Sequence, residues 1–191
     1  MVSGNESDEA PAHPDALPLL AGARVTLRPG TVADAAALHA ILAEPSVAAW
    51  WDEPEPAAEI TASLRGDEGT YLLVIAVGGE VAGGIQYWEE TDPMYRHAAI
   101  DLYLATRFQS QGFGTEALRL LVRWLFDVRR HHRLTIDSAA ANSRAIRCYQ
   151  SVGFRPVGIL RQYERGPDDA FHDGLLMDLL ATDPAPVTPV P

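Results

Sequence analysis

"DLYLATRFQSQGFGTEALRLL", residues 101–121, is the stretch on which the reading of this chain turns. Its first residues alternate around aliphatic and aromatic side chains, the period of a strand. Gly112 and Gly114 follow in a short turn, and Leu118, Leu121, Val122 and Leu125 then recur at helical spacing. A strand that enters a helix in this way leaves the first amide N–H groups of the helix without internal acceptors. The helix dipole adds positive potential at the same place. The product is an anion seat, and a diphosphate is its natural guest. Glycine suits it because a side chain would block close approach of the ligand. Two glycines are equally an ordinary helix start, so the local pattern leaves both readings open. The turn has no G-K-[ST] phosphate loop, and it lacks the G-x-G-x-x-G with an acid about twenty residues on.

Outward from this turn the chain alternates between the two periods. Strands are expected at "ARVTLRP" (23–29), "TYLLVIAV" (70–77), "EVAGGIQYWEE" (80–90), "HAAIDLYLAT" (97–106), "HRLTIDSAA" (132–140), "FRPVGILRQYER" (154–165) and "FHDGLLMDLLA" (171–181). Gly78-Gly79 signals a hairpin between the second and third of them. Helices are expected at 31–44, with Thr31 as cap, at 56–65, at 114–130, and at 142–153, where Gly153 is a natural C-cap. The order β-α-α-β-β-β-α-β-α-β-β predicts an α+β domain with one mixed sheet. It occupies residues 21–182. A polar, proline-bearing tail at 1–20, expected to be disordered, precedes it, and a Pro-rich tail at 183–191 follows.

The chain has 191 residues, 47% of them hydrophobic, enough for one domain with a real core. Its formal charge is −11, from 15 basic and 26 acidic residues, and every base is arginine. Nucleic acid is not an expected partner, because phosphate binding needs a basic face. A cationic small molecule is favoured on encounter. No apolar run reaches the roughly 18 residues of a membrane helix, and the start does not read as a signal peptide, so neither a membrane partner nor export is expected and a cytoplasmic location is. The single cysteine, Cys148, excludes a disulfide framework and reads as packing. The adjacent His131 and His132 point opposite ways on a strand, and no metal site is expected.

Residues 109–114, Q-S-Q-G-F-G, resemble the Q/R-x-x-G-x-G/A motif of the Gcn5-related N-acetyltransferases. "NSRAIRCYQSVGFRPVG" (142–158) resembles that family's N-x-x-A-x-x-x-Y-x-x-x-G-F segment at Asn142, Ala145, Tyr149, Gly153 and Phe154. The resemblance implies a three-layer domain whose mixed, mostly antiparallel central sheet splays at the cofactor strand. It implies acetyl-CoA as acetyl donor. The pyrophosphate would lie on the amides of Gln109, Ser110, Gln111, Gly112, Phe113, Gly114 and Thr115. The pantetheine arm would run along Leu102, Tyr103 and Leu104, with Asn142 helping to hold it and Tyr149 near the thiol.

Acetyl transfer to an amine needs a neutral amine, a donor for the developing oxyanion and a proton for the leaving thiolate. Tyr149 can supply that proton, since a phenol stays protonated at neutral pH. A backbone N–H near Leu102 or Tyr103 can serve the oxyanion. Asp101 is the preferred base: it is a carboxylate amid an apolar strand, on the same face as Tyr103, where burial would raise its pKa. Asp137, ending the next strand, is the second candidate; it can instead bind substrate charge or cap the Asn142 helix. By the resemblance, a carboxylate acting through water is also an option.

Two acidic-aromatic stretches are candidates for the acceptor side: "AAWWDEPEPAAE" (48–59) and "QYWEETDP" (86–93). Aromatic faces stack on sugar rings and cations, and carboxylates pair with ammonium groups. Trp50, Trp51, Asp52, Tyr87, Glu89, Glu90 and Asp92 of these stretches are the substrate-binding candidates. The W-W pair, E-E-T-D-P, I-D and R-A-I-R-C-Y resemble the aminoglycoside 6'-N-acetyltransferases within the family, and the spacer "MYRHAA" (94–99) departs from that pattern. That resemblance implies that Asp101 and Asp137 contact or activate the acceptor amine and that Trp50, Glu89, Glu90 and Asp92 line its site. The expectation is acetylation of a polycationic amino sugar by a monomer or homodimer. Other amine acceptors (a peptide N-terminus, a polyamine, a siderophore precursor) and a CoA-binding module without catalysis stay open.

Overall fold

Strand β3 (Thr70–Val77) shows how the layers arise. Its side chains alternate, so Leu73 and Ile75 enter one core and Leu72 and Val74 enter another. A sheet apolar on both faces must be covered on both. On one face lie α1 (Ala35–Leu42), the short α2 (Pro45–Ala48) and the buried Ile60 and Leu64. On the other lie α3 (Phe113–Asp127) and α4 (Ser143–Val152). The computed structural model describes residues 17–51, 60, 64, 69–166 and 168–184. The expected helix at 56–65 lies mostly outside them, as do most of the tails expected at 1–20 and 183–191.

The remaining strands are β1 (Leu20–Ala21), β2 (Val25–Pro29), β4 (Glu80–Glu90), β5 (His97–Leu104), β6 (Arg133–Ala139), β7 (Arg155–Arg165) and β8 (Phe171–Leu180). They form one eight-stranded sheet in the order β1-β2-β3-β4-β5-β6-β8-β7. Every neighbouring pair is antiparallel except β5 and β6. The sheet is mixed and mostly antiparallel, as expected. Gly78 and Gly79 turn the β3–β4 hairpin with φ of +59° and +86°, values that favour glycine. Thr31 is the N-cap of the first helical turn, as expected: its carbonyl accepts from the Asp34 amide at 2.9 Å. Asp34 reaches back and accepts from the Thr31 N–H at 2.8 Å and the Thr31 hydroxyl at 2.9 Å, while Arg28 grips both its oxygens. Arg28 and the Thr31 hydrogen bonds hold Asp34 well below the usual carboxylate range.

The register of β5 creates the site. Against β4 it pairs along its whole length, from Glu90–His97 to Gly83–Leu104. Against β6 it pairs only at Ala98–Leu134, Ala99–Thr135 and Ile100–Ile136. Beyond Ile100 the two parallel strands part, so one backbone edge of residues 101–104 has no strand beside it. Such an edge is a template for an extended guest. α3 fixes the floor of the split by burying Leu118, Leu121 and Leu125 completely.

Candidate active site

The turn from β5 to α3 has the conformation that the glycines foretold. Gly112 is the residue before α3, with φ +84° and no side chain to cap the helix amides. A Cβ on Gly114 would lie 3.3 Å from Leu104 Cδ1, so glycine keeps the cradle against β5 open. Glu116, the acid of the first helical turn, is engaged elsewhere: it accepts from the Arg24 and Val25 amides at 2.8 and 3.2 Å. Its carboxylate therefore does not compete for an anion at the start of α3, although the Gln109 N–H is already bonded to the Thr106 carbonyl at 3.2 Å. A cavity of about 480 Å³ runs from here into the split between β5 and β6. Leu102, Tyr103, Leu104, Gln109, Ser110, Gly112, Gly114, Thr115, Asn142 and Tyr149 all line it. Gln111 and Phe113 do not. Gln111 turns back to the Arg107 carbonyl, and Phe113 packs under Arg24 and against Phe108. Asn142 caps α4 by accepting from the Ala145 amide at 3.2 Å. An extended chain with an anionic end fits this shape.

Two groups of the β5 edge already have partners. The Leu102 N–H donates to Asp101 Oδ1 at 2.8 Å. The Leu104 carbonyl accepts from Gln109 Nε2 at 2.7 Å, and Arg144 in turn donates to Gln109 Oε1 at 2.6 Å. These short side-chain bonds hold the edge, and a chain pairing at those two groups would replace them.

A second cavity, of about 970 Å³, shares Trp50, Trp51, Asp101, Tyr103, Ala139 and Glu164 with the first. The two therefore meet over Asp101. Trp51 stands edge-on to Tyr103, with ring centroids 4.9 Å apart. Burial pushes the Asp101 carboxyl up to about 8; the Leu102 hydrogen bond opposes this, and the charges of Asp137 and Glu164 add to it. Burial likewise raises Asp137. Tyr149, 4% exposed, is pushed well above the ordinary phenol range by burial and by nearby Asp101, Cys148 and Asp137. Tyr163 is raised first by the charge of Asp137, then by burial and by Glu164 and Asp101. Burial pushes the Cys148 thiol up too, which suits packing better than nucleophilic attack.

The acidic stretch 86–93 does not gather at this site. Tyr87 is completely buried and packs against Tyr71 and Trp124 in the α3 core. Glu89 is an internal ion-pair partner: Arg129 donates to it at 2.9 and 3.0 Å, and His131 lies 2.6 Å away. Burial raises its carboxyl, but the His131 and Arg129 hydrogen bonds and the Arg129 charge outweigh that and hold it at about 2. Glu90 and Asp92 are exposed and close their own turn, accepting from the Asp92 and Met94 amides at 2.9 Å each. Neither cavity is lined by any of the four. The reason is register: Gln86, not Glu89, lies opposite Asp101, and the three or four further residues carry the acids ~10–13 Å along the strand. Asp52 lies outside the described residues. The acid missed in the sequence is Glu164, which reaches both cavities from β7. Its signal was the acid-rich "YERGPDDAFHD" (163–173), read only as strand and connection.

Among the described residues no three metal-ligating side chains come together, and no helix is long and apolar enough to cross a membrane. A family model described as an acetyltransferase (GNAT) domain matches residues 24–155. An aminoglycoside N(6')-acetyltransferase type 1 of Klebsiella pneumoniae is 33% identical over 153 residues, 70% of this chain and 75% of that protein. A spermidine N(1)-acetyltransferase of Escherichia coli K12 is 27% identical over 141 residues, 71% of this chain and 75% of that protein. The solved structure of aminoglycoside acetyltransferase AAC(6')-Ib in complex with coenzyme A superposes with a TM-score of 0.68 at 28% identity, covering 82% of this chain and 95% of that one. With the splayed sheet and the glycine turn beside these matches, the chain belongs to the GNAT family and is an N-acetyltransferase that takes its acetyl group from acetyl-CoA.

Proposed function

We propose that this chain acetylates a primary amine of a polycationic amino sugar, the 6' amine of an aminoglycoside. The observation that carries the reading is the junction of the two cavities: Asp101, Glu164, Trp50 and Trp51 line both, and Asp137 lines the cofactor cavity beside them. Carboxylates there pair with ammonium groups, and the indoles offer flat faces to sugar rings. The aminoglycoside relatives support the same acceptor.

Bound acetyl-CoA supplies an activated thioester; the rest is done by side chains and backbone. Asp101 takes the proton of the acceptor ammonium, directly or through a water. Its raised pKa of about 8 lies close to that of an amine, which favours the exchange. Asp137 and Glu164 hold the remaining charge of the acceptor. When Asp101 turns to the amine it releases the Leu102 N–H, and we assign that donor to the acyl oxygen. The amine nitrogen bonds to the acyl carbon as the carbon–sulfur bond breaks; Tyr149, kept protonated, would give its proton to the departing sulfur, and the second proton lost by the nitrogen would restore the phenol. Backbone groups of Gln109, Ser110, Gly112, Gly114 and Thr115, which line the cavity, would seat the pyrophosphate, and Asn142 would steady the pantetheine arm.

A linear polyamine carries similar charge, and the spermidine acetyltransferase relative gives that second reading some support. The paired indoles argue for rings over a flexible chain. Thiol release from acetyl-CoA decides, measured with kanamycin, with a kanamycin analogue lacking the 6' amine, with spermidine and with a peptide bearing a free N-terminus. Release with kanamycin alone is expected. Release with the 6'-deaminated analogue would remove the regiochemistry, and release with spermidine or peptide but not kanamycin would remove the amino sugar.

A further inference from the structure

Ser138 carries a signal that the roles above leave unused. Its Oγ is buried and has no hydrogen-bond partner among the described residues. Buried hydroxyls are nearly always bonded, so an orphan of this kind marks a place where something else binds. The residue belongs to the wall of the cofactor cavity, between Asp137 and Ala139.

Its position in the sheet is well defined. The backbone of Ser138 stays in the ladder, opposite Leu175 of β8, so the orphaned hydroxyl does not come from an irregular loop. The last β5–β6 pair is Ile100–Ile136. Two residues farther on, Ser138 stands level with Leu102 across the split. By strand alternation its side chain shares the face of Leu134 and Ile136, which pack in the α3 core with Leu102 and Leu104. Asp137 points to the other face. Ser138 and Leu102 thus flank the narrow end of the split, far from the glycine turn. Rotation about the single χ1 angle of serine moves its oxygen between wall and lumen through ordinary staggered positions.

We propose that Ser138 is a positioning residue for acetyl-CoA, its hydroxyl donating to a carbonyl oxygen at the reactive end of the pantetheine arm, across from Leu102. That carbonyl is either an amide of the arm or the thioester itself. The hydroxyl would fix the arm in the split rather than take part in the chemistry.

The test is Ser138→Ala, read by calorimetric titration with CoA and, separately, with acetyl-CoA, together with the melting temperature of the ligand-free protein. One lost hydrogen bond corresponds to about 5–10-fold weaker binding. Weakening with both ligands assigns an arm amide; weakening with acetyl-CoA alone assigns the thioester carbonyl. The ligand-free melting temperature is expected to stay the same or rise, because the substitution removes an unpaired buried polar group. The stabilisation that either weakened ligand confers should shrink accordingly. Affinities within twofold of the parent for both ligands would overturn the assignment. So would a ligand-free melting temperature several degrees lower, since that would show the hydroxyl to be satisfied within the fold, by a water or by a neighbour.

Discussion

Replacing Asp101 with Asn tests the proposed base and the unusual ionisation together. Asn keeps an oxygen where Asp101 accepts from the Leu102 amide, so the β5 edge should hold its shape while the charge is lost. General-base catalysis contributes on the order of 10²–10⁴-fold, so kcat/KM for the aminoglycoside should fall by that factor, about 3–5 kcal/mol of barrier. The pH dependence is the sharper readout. The acceptor amine titrates in the same range, but it does so equally for both proteins, and the parent-to-variant ratio cancels it. With Asp101 at about 8, that ratio should climb nearly tenfold per unit from pH 6 to 7 and level off above 8. Stability gives an independent check. A carboxyl whose pKa is higher folded than unfolded favours the fold fully only below its unfolded value, near 4, and that advantage is lost as pH rises through 8. The variant carries no such loss. Its stability relative to the parent should therefore grow by ~1.4 kcal/mol per pH unit between about 4 and 8, to about 6 kcal/mol at most. Urea titrations at pH 5, 7 and 9 measure this. A ratio flat in pH, a kcat/KM within tenfold of the parent, or a stability difference constant across the range would refute the reasoning.

Three further outcomes are expected. Glu89→Gln should lower stability by about 3–5 kcal/mol while leaving KM for the acceptor unchanged, because Arg129 would keep its charge in a site where both side chains are only 7% exposed; in the parent, the contribution of this pair should persist above about pH 4.5 and fade as pH drops toward 2. Tyr149→Phe should reduce kcat about 100-fold with the dissociation constant for CoA unchanged within twofold, separating proton donation from cofactor binding. Glu164→Gln should raise KM for kanamycin about tenfold, in line with loss of one charge-assisted hydrogen bond, with a smaller effect on kcat.

The contrast between Gly112 and Glu89 shows which parts of the site the sequence could reveal. The cofactor turn is local: strand, glycines and helix follow one another within fifteen residues, and backbone sterics with amide dipoles dictate its shape whatever surrounds it. The succession of strands along the chain, apart from the two-residue β1, was legible for the same reason, since each period belongs to one segment. The acceptor site depends instead on which residues of distant strands share a face and a level. In β4 a single step decides: Gln86 reaches the acceptor cavity beside Asp101, while Tyr87 and Glu89 turn to the α3 side and are buried there. Charge density in "QYWEETDP" carries no information about that parity. It also could not show that Arg129 and His131, forty and forty-two residues away, would neutralise Glu89. Glu164 was missed for the converse reason, being one acid on an exposed edge strand, β7, that is joined to β6 only through β8 lying between them. The acidic field of the whole chain agrees in sign with the proposed acceptor. The three carboxylates that converge on it come from β5, β6 and β7, and only the register of the sheet brings them together.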